Sequence, residues 1–464
     1  MPIREELGVA LGPAVTFEPS ELEPYRTDRS GWTSPEHPLA AVRARTVADV
    51  QATMRAATAH GVPVVPRGAG TGLAGGAIGT DGAIVLDVSG MRRILEIDPA
   101  DEIAVVEPGV VTDDLAAALA EHDLWWPPDP ASRAISTVGG NIATNAGGLL
   151  CAKYGVTRES VLGLAVVLAD GKLLRLGRRT VKGVTGYDLT ALVVGSEGTL
   201  GVVVEATLKL RRSSSDPVIT IGATFDSVVD GAAAAAAIMA AGMRPAALEL
   251  LDAASCEAID AYLAATAPVG RYPTLAGRGA FLLVRTDSAS AAEEAALATG
   301  LIRDAGGEVA RLDDDPEAGE RLLEVRRSAN PAFARLGDVL IEDVCVPRSA
   351  LPAMFAAIER IADEHGLAIP TLAHAGDGNL HPNVLVPASM PHEPGELPEA
   401  VWRAGDALFE AAIALGGTLT GEHGVGLLKR RWLERELGAD VLALSTRIKA
   451  AFDPLNLLNP GKAV

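Results

Sequence analysis

Two histidines, His374 and His381, flank a short loop in the stretch HAGDGNLHPN. The GDGN segment between them is a turn signal, and the alternating pattern of the flanking segments IPTLAHA and LHPNVLV predicts a β-hairpin. A hairpin lets the two imidazoles approach each other across the ends of its strands. The alternative is that each is an ordinary core or surface histidine.

A second stretch, GTLTGEHGVG, places Glu422 beside His423 in another glycine-rich loop. Two imidazoles and one carboxylate form a common catalytic zinc set, because three protein ligands leave one coordination position for a substrate. His374, His381 and Glu422 are therefore candidate metal ligands. About forty residues separate the two stretches, so spacing alone leaves separate structural roles open.

Three glycine-rich stretches in the first half have ligand-binding character: GTGLAG (70–75), TVGGNIATNAGG (137–148) and VVGSEGTLGVV (193–203). GTGLAG fits the dinucleotide fingerprint GxGxxG, but more glycine and then a strand follow it. We reject a Rossmann interpretation, because that fingerprint needs a following helix to bind the pyrophosphate. A mobile turn is one alternative; a loop whose amide N–H groups surround a phosphate, with Arg67 adding charge, is the other. Three such loops favour a long ligand with phosphates, a sugar and a flat ring.

The pattern of elements divides the chain into two parts. With 464 residues the chain is too long for one ordinary core. Up to about residue 212, short strands, glycine turns and a few helices predict an α+β domain. After the polar break RRSSSDP (211–217), strands alternate with alanine-rich helices, which predicts a helix-covered sheet, antiparallel in part. We predict an arm over 1–37, a first domain over 38–214 and a second over 215–464.

Composition excludes several classes of protein. The formal net charge of -20 opposes nucleic acid binding, and three cysteines without paired spacing, Cys151, Cys256 and Cys345, argue against a disulfide framework. No run of apolar residues is long enough to span a bilayer, and the charged start MPIREELG lacks a signal core. We therefore expect a soluble, cytoplasmic protein.

The motifs VPRGAGTGLAGGA, WPPDPASRAISTVGGNIATNAGG and TGYDLTALVVGSEGTLGVV resemble the FAD-binding half of flavoproteins of the vanillyl-alcohol-oxidase type, in that family's order and spacing. The resemblance implies FAD contacts from the pyrophosphate loop (Arg67, Gly68, Gly70, Thr71, Gly72), the flavin side (Asp129, Ser132, Thr137, Gly139, Gly140, Asn141, Asn145) and the adenosine or ribityl side (Glu197, Gly201, Val202). The first loop lacks the histidine through which some members attach FAD, which implies a noncovalent cofactor. Attachment through Cys151 is the alternative. The implied architecture is a two-domain α+β flavoprotein with an N-terminal FAD-binding domain and a C-terminal cap domain.

HAGDGNLHPN and TGEHGVG resemble the C-terminal motifs of flavin-linked 2-hydroxy-acid dehydrogenases, the group that contains the glycolate oxidase flavin subunit and D-lactate dehydrogenase. The resemblance implies that His374, His381 and Glu422 bind a divalent metal, usually zinc, that His423 is the catalytic base and that Asn383 contacts substrate. LLEVRRSANPAF resembles the segment whose arginine, here Arg326, binds the substrate carboxylate; a helix-surface arginine is the alternative. The tail AFDPLNLLNPGK has a counterpart that returns to the flavin domain, with Asn459 as its FAD contact.

These residue types fit metal-assisted oxidation of a 2-hydroxy acid to a 2-oxo acid. A 2-hydroxy acid can chelate a metal, which lowers the pKa of its hydroxyl, and His423 can then accept the proton while a hydride leaves to flavin N5. Relatives that oxidise dicarboxylates carry a lysine where Ile341 stands in VLIEDVCVP, so we expect glycolate or D-lactate as substrate.

Three other functions stay open: a D-2-hydroxyglutarate-type dehydrogenase, a noncatalytic flavin subunit of a larger complex, and a non-redox enzyme like alkylglycerone-phosphate synthase. Because the sequence has no iron-sulfur spacing, electrons must leave through a partner, which we expect to be an iron-sulfur subunit, a quinone, a soluble carrier or oxygen.

Overall fold

The computed structural model describes residues 1–275, 279–313, 315–392 and 396–464, which form two compact units. The first unit contains Met1–Gly147, Gly155–Ser213 and Glu422–Val464, and the second contains Gly148–Tyr154 and Ser214–Gly421. The break near residue 214 coincides with the polar segment RRSSSDP. Two segments differ from the expected division, because 148–154 belongs with the second unit and 422–464 with the first.

The first unit is built on two sheets and a short ribbon. One sheet has four strands in the order Val15–Thr16, Ala40–Arg43, Ile84–Asp87 and Val64–Arg67, of which the last three are parallel. The other has five antiparallel strands in the order Ile94–Asp98, Ile103–Val106, Val202–Lys209, Val161–Val167 and Leu173–Gly177. Leu124–Trp125 and Arg211–Arg212 form the ribbon. The α-helices are Ile3–Leu11, Pro19–Leu22, Val47–His60, Thr112–Ala120, Val138–Thr144, Leu189–Val193, Leu433–Leu437 and Ala439–Phe452.

Local sequence signals set the ends of the longest early helix. Thr46 and Asp49 form a reciprocal capping box at the start of Val47–His60, and Gly61 ends the helix with φ +66°. The helix packs Val50 and Met54 into a core that also contains Leu86 of the four-stranded sheet. This core positions the strand Val64–Arg67, after which the first glycine loop begins.

The second unit is one eight-stranded sheet covered by helices. Seven strands follow one another in the order Glu308–Asp313, Ile219–Phe225, Ala280–Thr286, Ala247–Asp252, Thr371–His374, Asn379–Leu385 and Val339–Ile341, and Val344–Cys345 also pairs with Asn379–Leu385. Every pairing in it is antiparallel. The α-helices are Cys151–Tyr154, Val228–Ala240, Ala253–Thr266, Ala291–Asp304, Pro316–Arg327, Ala329–Phe333, Leu351–His365 and Glu399–Ala414. The predicted α+β class and the helix-covered antiparallel sheet are confirmed.

The tail joins the first unit because it adds to a sheet edge. Val64 donates its amide to Leu457 O at 2.7 Å, and Asn459 donates to Val64 O at 2.8 Å, which extends the edge strand Val64–Arg67. Leu458 between them is fully buried in the core of the four-stranded sheet. The exposed edge of that sheet is thereby covered.

A buried ion pair fixes this tail. Lys449 Nζ donates to Asp453 Oδ2 at 2.8 Å, to Thr199 O at 3.0 Å and to Leu458 O at 2.9 Å. Asp453 in turn accepts the amides of Leu457 and Leu458.

Among the described helices, none combines the length and the apolar character needed to cross a membrane.

Substitution of Lys449 by Met should destabilise the first unit. The variant leaves the buried Asp453 carboxylate without its cation, a loss that costs about 3–5 kcal/mol. We expect the midpoint of thermal unfolding to fall by roughly 5–10 °C. The control is Lys209→Met, which removes an exposed lysine at the end of a strand. Equal unfolding midpoints in the two variants would contradict this account.

Candidate active site

The hairpin predicted around GDGN is present and brings the two histidines together. Thr371–His374 pairs with Asn379–Leu385, with Leu372 opposite His381. The imidazole centroids of His374 and His381 are 5.1 Å apart, with the rings nearly perpendicular at 86°. Both side chains are buried. Gly378 in the turn has φ +92°, and a Cβ there would lie 2.1 Å from Val346 O, so this turn requires glycine.

A fully buried carboxylate, Glu249, holds His374. Glu249 lies directly opposite His374 on the neighbouring strand Ala247–Asp252. Its Oε1 and Oε2 are 2.8 and 3.0 Å from His374 Nδ1. A carboxylate can only accept, so Nδ1 carries the proton and Nε2 is the electron-pair donor of the ring.

The same carboxylate binds Arg326. Arg326 Nε donates to Glu249 Oε2 at 2.6 Å, and the arginine side chain is only 5% exposed. Arg326 is therefore not a helix-surface residue, although it lies near the end of the helix Pro316–Arg327. Within the described residues, the two Nη groups of Arg326 have no hydrogen-bond or ion-pair partner. They offer a fork of donors that suits a carboxylate.

A second buried carboxylate, Asp343, lies beside His381. Asp343 Oδ1 is 3.6 Å from His381 Nδ1 and accepts Asn379 Nδ2 at 2.7 Å. Its Oδ2 accepts the Thr420 hydroxyl at 2.7 Å. Each imidazole of the pair thus has its own buried acid, and acids in this position orient the rings of histidines that bind metals.

Asn383 lies two residues beyond His381, so it shares the same face of the sheet. It is buried, and its Nδ2 donates to His381 O at 2.8 Å and to Pro370 O at 3.3 Å. The amide nitrogen is therefore engaged with the backbone, which leaves the amide oxygen as the atom for a substrate contact. His374, His381, Arg326 and Asn383 all belong to one sheet and its covering helix.

Glu422 and His423 open the last segment of the first unit. Both are half-buried, and they follow Gly421 directly. Gly421, the last residue of the second unit, donates its amide to Asp343 O at 3.2 Å.

The three glycine loops converge within the first unit. A Cβ on Gly68 would lie 2.6 Å from Thr137 Oγ1, so the first and second loops meet closely. The third loop contacts the helix of the second, since Gly195 and Glu197 donate their amides to Ile142 O and Ala143 O at 2.9 and 2.8 Å. The loops expected to bind one long ligand are therefore neighbours.

Arg67 shapes the first loop through backbone contacts. Its Nη1 donates to Thr27 O and Ala77 O, both at 2.8 Å, and its guanidinium lies 5.5 Å from the ring centroid of Tyr25. A Cβ on Gly70, where φ is +69°, would lie 2.1 Å from Arg67 Nη2. The positive φ favours glycine at position 70, and any side chain there would also displace the Arg67 guanidinium.

Glu197 anchors the glycine-rich loop that follows His423. Its carboxylate accepts the amides of Val425 at 2.7 Å and Gly426 at 2.9 Å. Burial raises the pKa of Glu197, and the two amide donors oppose that rise. Asn459 Nδ2 donates to Glu197 O and Gly76 O at 2.7 and 3.0 Å, which ties the tail to two of the loops.

Asn145, also expected at the cofactor, has a structural role within the first unit. Asn145 ends its helix with φ +53° and accepts the amide of Arg158 at 2.9 Å. Other expected contacts lie on loops, in the helix Val138–Thr144 and at the start of the strand Val202–Lys209: Thr71, Gly72, Asp129, Ser132, Gly139, Gly140, Asn141, Gly201 and Val202. Cys151 lies in the segment that belongs to the second unit. FAD contacts of all these residues stay predictions.

Sequence reasoning missed three residues at these sites. Glu249 stands alone among apolar residues in ALELL, and a lone acid inside an apolar strand was the available signal. Asp343 follows Glu342 between the apolar strands Val339–Ile341 and Val344–Cys345. Lys462, in the tail motif NPGK, is buried and donates to Gly76 O and Ile78 O. Burial lowers the pKa of Lys462 to about 7.

Comparisons with known proteins agree with this architecture. The family model described as FAD linked oxidases, C-terminal domain, matches residues 216–463, and the FAD binding domain model matches 38–177. Glycolate oxidase subunit GlcD of Bacillus subtilis is 42% identical over 428 residues, which cover 92% of this chain and 88% of that protein. D-lactate dehydrogenase of Archaeoglobus fulgidus is 36% identical over 420 residues, covering 90% and 89%.

A crystal structure of p-cresol methylhydroxylase with bound substrate shares the fold, with a TM-score of 0.77 at 21% identity, covering 99% of this chain and 96% of that one. The converging glycine loops, the helix-covered antiparallel sheet and these matches lead to one conclusion. The chain belongs to the FAD-linked oxidases and is an FAD-dependent oxidoreductase of the vanillyl-alcohol-oxidase type.

Proposed function

We propose that this protein oxidises a small 2-hydroxy acid to the corresponding 2-oxo acid, using FAD and a divalent metal, with zinc as the expected ion. The observation that carries the proposal is the buried Glu249, which binds both His374 and an arginine, Arg326, whose two Nη groups have no partner among the described residues. The relatives named for glycolate and D-lactate support the same class of substrate.

The residues of the first unit fit a noncovalent FAD. Asn459 Oδ1 is buried, and among the described residues it has no hydrogen-bond partner, so it is an acceptor suited to a hydroxyl of the cofactor. Gly68 and Gly70 keep their loop free of side chains where backbone amides must approach phosphate. No histidine stands in this loop to attach the flavin.

The donor chemistry of the second unit fits zinc. His374 and His381 supply imidazole nitrogens, and the Nδ1 proton of His374 on Glu249 directs Nε2 toward an ion. We propose Glu422 as the third ligand, because it follows Gly421, which is hydrogen-bonded to Asp343 beside His381.

Protein residues then perform binding and proton transfer. The Arg326 fork binds the substrate carboxylate, and Asn383 contacts the substrate on the same face of the sheet. His423 accepts the hydroxyl proton, a role suited to an imidazole near neutral pH. A metal held by these ligands would supply polarisation of the substrate hydroxyl, and a bound FAD would supply the acceptor for the hydride that leaves the carbon. Electrons pass on to a separate acceptor, which we expect to be an iron-sulfur partner subunit, a quinone or a soluble carrier.

A monocarboxylate fits the site better than a dicarboxylate. Ile341 pairs directly with Asn383 on the neighbouring strand, so an apolar side chain stands where a dicarboxylate would need a second cation. Glu342, the next residue, is buried and acidic. Glycolate or D-lactate is the substrate that we propose.

His374→Ala should remove the metal and the activity together while FAD stays bound. Loss of one of three ligands should lower zinc content from about one ion per chain to near zero and kcat by at least about 100-fold. Elemental analysis, steady-state kinetics and the flavin absorption spectrum measure the three quantities. The control is His122→Ala, which removes an exposed histidine. Full activity in His374→Ala would remove the metal from the mechanism.

Anaerobic mixing with D-lactate or glycolate should bleach the flavin at catalytic speed. We expect D-2-hydroxyglutarate to be at least about 100-fold poorer in kcat/KM, because its second carboxylate lacks a cation. Ile341→Lys should reduce the ratio of kcat/KM for D-lactate to kcat/KM for D-2-hydroxyglutarate about tenfold, equivalent to ~1.4 kcal/mol. The uncharged control Ile341→Met should leave this ratio unchanged. Absence of bleaching with any 2-hydroxy acid would favour a noncatalytic flavin subunit or an ether-forming enzyme.

Denaturation should release the cofactor. Acid precipitation of the purified holoprotein is expected to leave a colourless pellet and free FAD in the supernatant, because the first loop offers no attachment residue. A yellow pellet would contradict noncovalent binding, and its loss in Cys151→Ser would identify that cysteine as the link.

A further inference from the structure

We infer that Glu249 is a positioning residue that couples metal binding to substrate binding, by orienting His374 and Arg326 with one carboxylate. The inference rests on the proposed function and deepens it, because it makes one carboxylate responsible for the geometry of both the metal ligand and the substrate-binding arginine. Glu249 is 0% exposed, so its charge is compensated only by groups inside the protein.

The geometry gives each oxygen a defined neighbour. Oε1 lies 2.8 Å from His374 Nδ1, and Oε2 lies 2.6 Å from Arg326 Nε and 3.0 Å from the same Nδ1. The histidine ring therefore cannot rotate without losing a charge-assisted hydrogen bond. Because the acceptor fixes Nδ1 as the protonated atom, it also makes Nε2 more basic.

Arg326 contacts Glu249 through Nε, and among the described residues neither of its Nη groups has a partner. The bond restrains the orientation of the guanidinium plane and leaves the Nη groups to bind another acceptor. An arginine without this partner would be a buried cation with many side-chain conformers, and ordering it would weaken substrate binding. The position of the fork relative to His374 is thus set by one side chain on the strand between them.

A simple buried ion pair is the competing explanation. In that case Glu249 would only neutralise Arg326, and its loss would affect stability and substrate binding but not the metal. A ligand-orienting role predicts a loss of metal affinity as well, and that loss would persist when Arg326 is absent.

The test compares zinc affinity, KM and kcat in four holoproteins: wild type, Glu249→Gln, Arg326→Met and the double variant. For Glu249→Gln we expect zinc affinity, measured by chelator competition, to fall about 10- to 100-fold and KM for D-lactate to rise. Arg326→Met should raise KM with zinc affinity unchanged. The double variant should bind zinc as weakly as Glu249→Gln.

The matched control is Glu107→Gln, which removes a buried acid paired with Arg93 in the first unit. It should change neither zinc affinity nor KM. If Glu249→Gln yields no soluble holoprotein, Glu249→Asp, which withdraws the carboxylate by one methylene, is measured in its place with the same expected direction.

The inference would be overturned if the zinc affinity of the Glu249 variant stayed within about twofold of wild type. The same holds if the zinc affinity of the double variant stayed within about twofold of Arg326→Met. In either case the proposed metal site itself would stand. If the wild-type protein binds no zinc, or if His374→Ala binds as much zinc as wild type, both the proposed metal site and this role of Glu249 would be overturned. The two failures are therefore distinguishable, because the first occurs in a protein that still binds the ion.

Discussion

Burying an ionised carboxylate is costly unless hydrogen-bond donors surround it, and three buried carboxylates with such donors organise this molecule. Glu249 is held by an imidazole and a guanidinium, Asp343 by an amide and a hydroxyl, and Glu197 by two backbone amides. In each case the donors come from segments distant in sequence. The need to compensate a buried charge therefore fixes which strands, helices and loops must meet at the candidate sites.

The two units also differ in the kind of element that carries their candidate binding residues. In the second unit, rigid strands carry His374, His381 and Asn383, so their side chains have fixed spacing on one face of a sheet. In the first unit, most of the residues expected to contact FAD lie on glycine-rich loops. Loops rich in glycine suit an extended ligand with phosphates, whereas a sheet suits a compact ion and a small acid.

The sequence was sufficient for features that depend on local patterns. The hairpin at GDGN, the polar break near residue 214, the α+β class and the three glycine loops each follow from short-range signals. The ion pairs at the site could not be inferred in the same way. Glu249 and His374 are 125 residues apart, and their contact depends on the order of strands in the sheet, which local periodicity does not encode. Arg67 was expected at the pyrophosphate from its position in a motif, but its contacts with Thr27 O and Ala77 O depend on how the N-terminal arm packs.

The return of residues 422–464 to the first unit has a consequence for biosynthesis. The edge strand Val64–Arg67 and the carboxylate of Glu197 are translated long before the segment that pairs with them, because the second unit of about 200 residues lies between. At roughly 5–20 residues per second, the ribosome needs on the order of ten to forty seconds to cover that interval. During this interval the edge strand Val64–Arg67 of the nascent first unit lacks its pairing segment, and the Glu197 carboxylate lacks its two amide donors. The partly folded first unit is therefore the species that chaperones would meet during this interval.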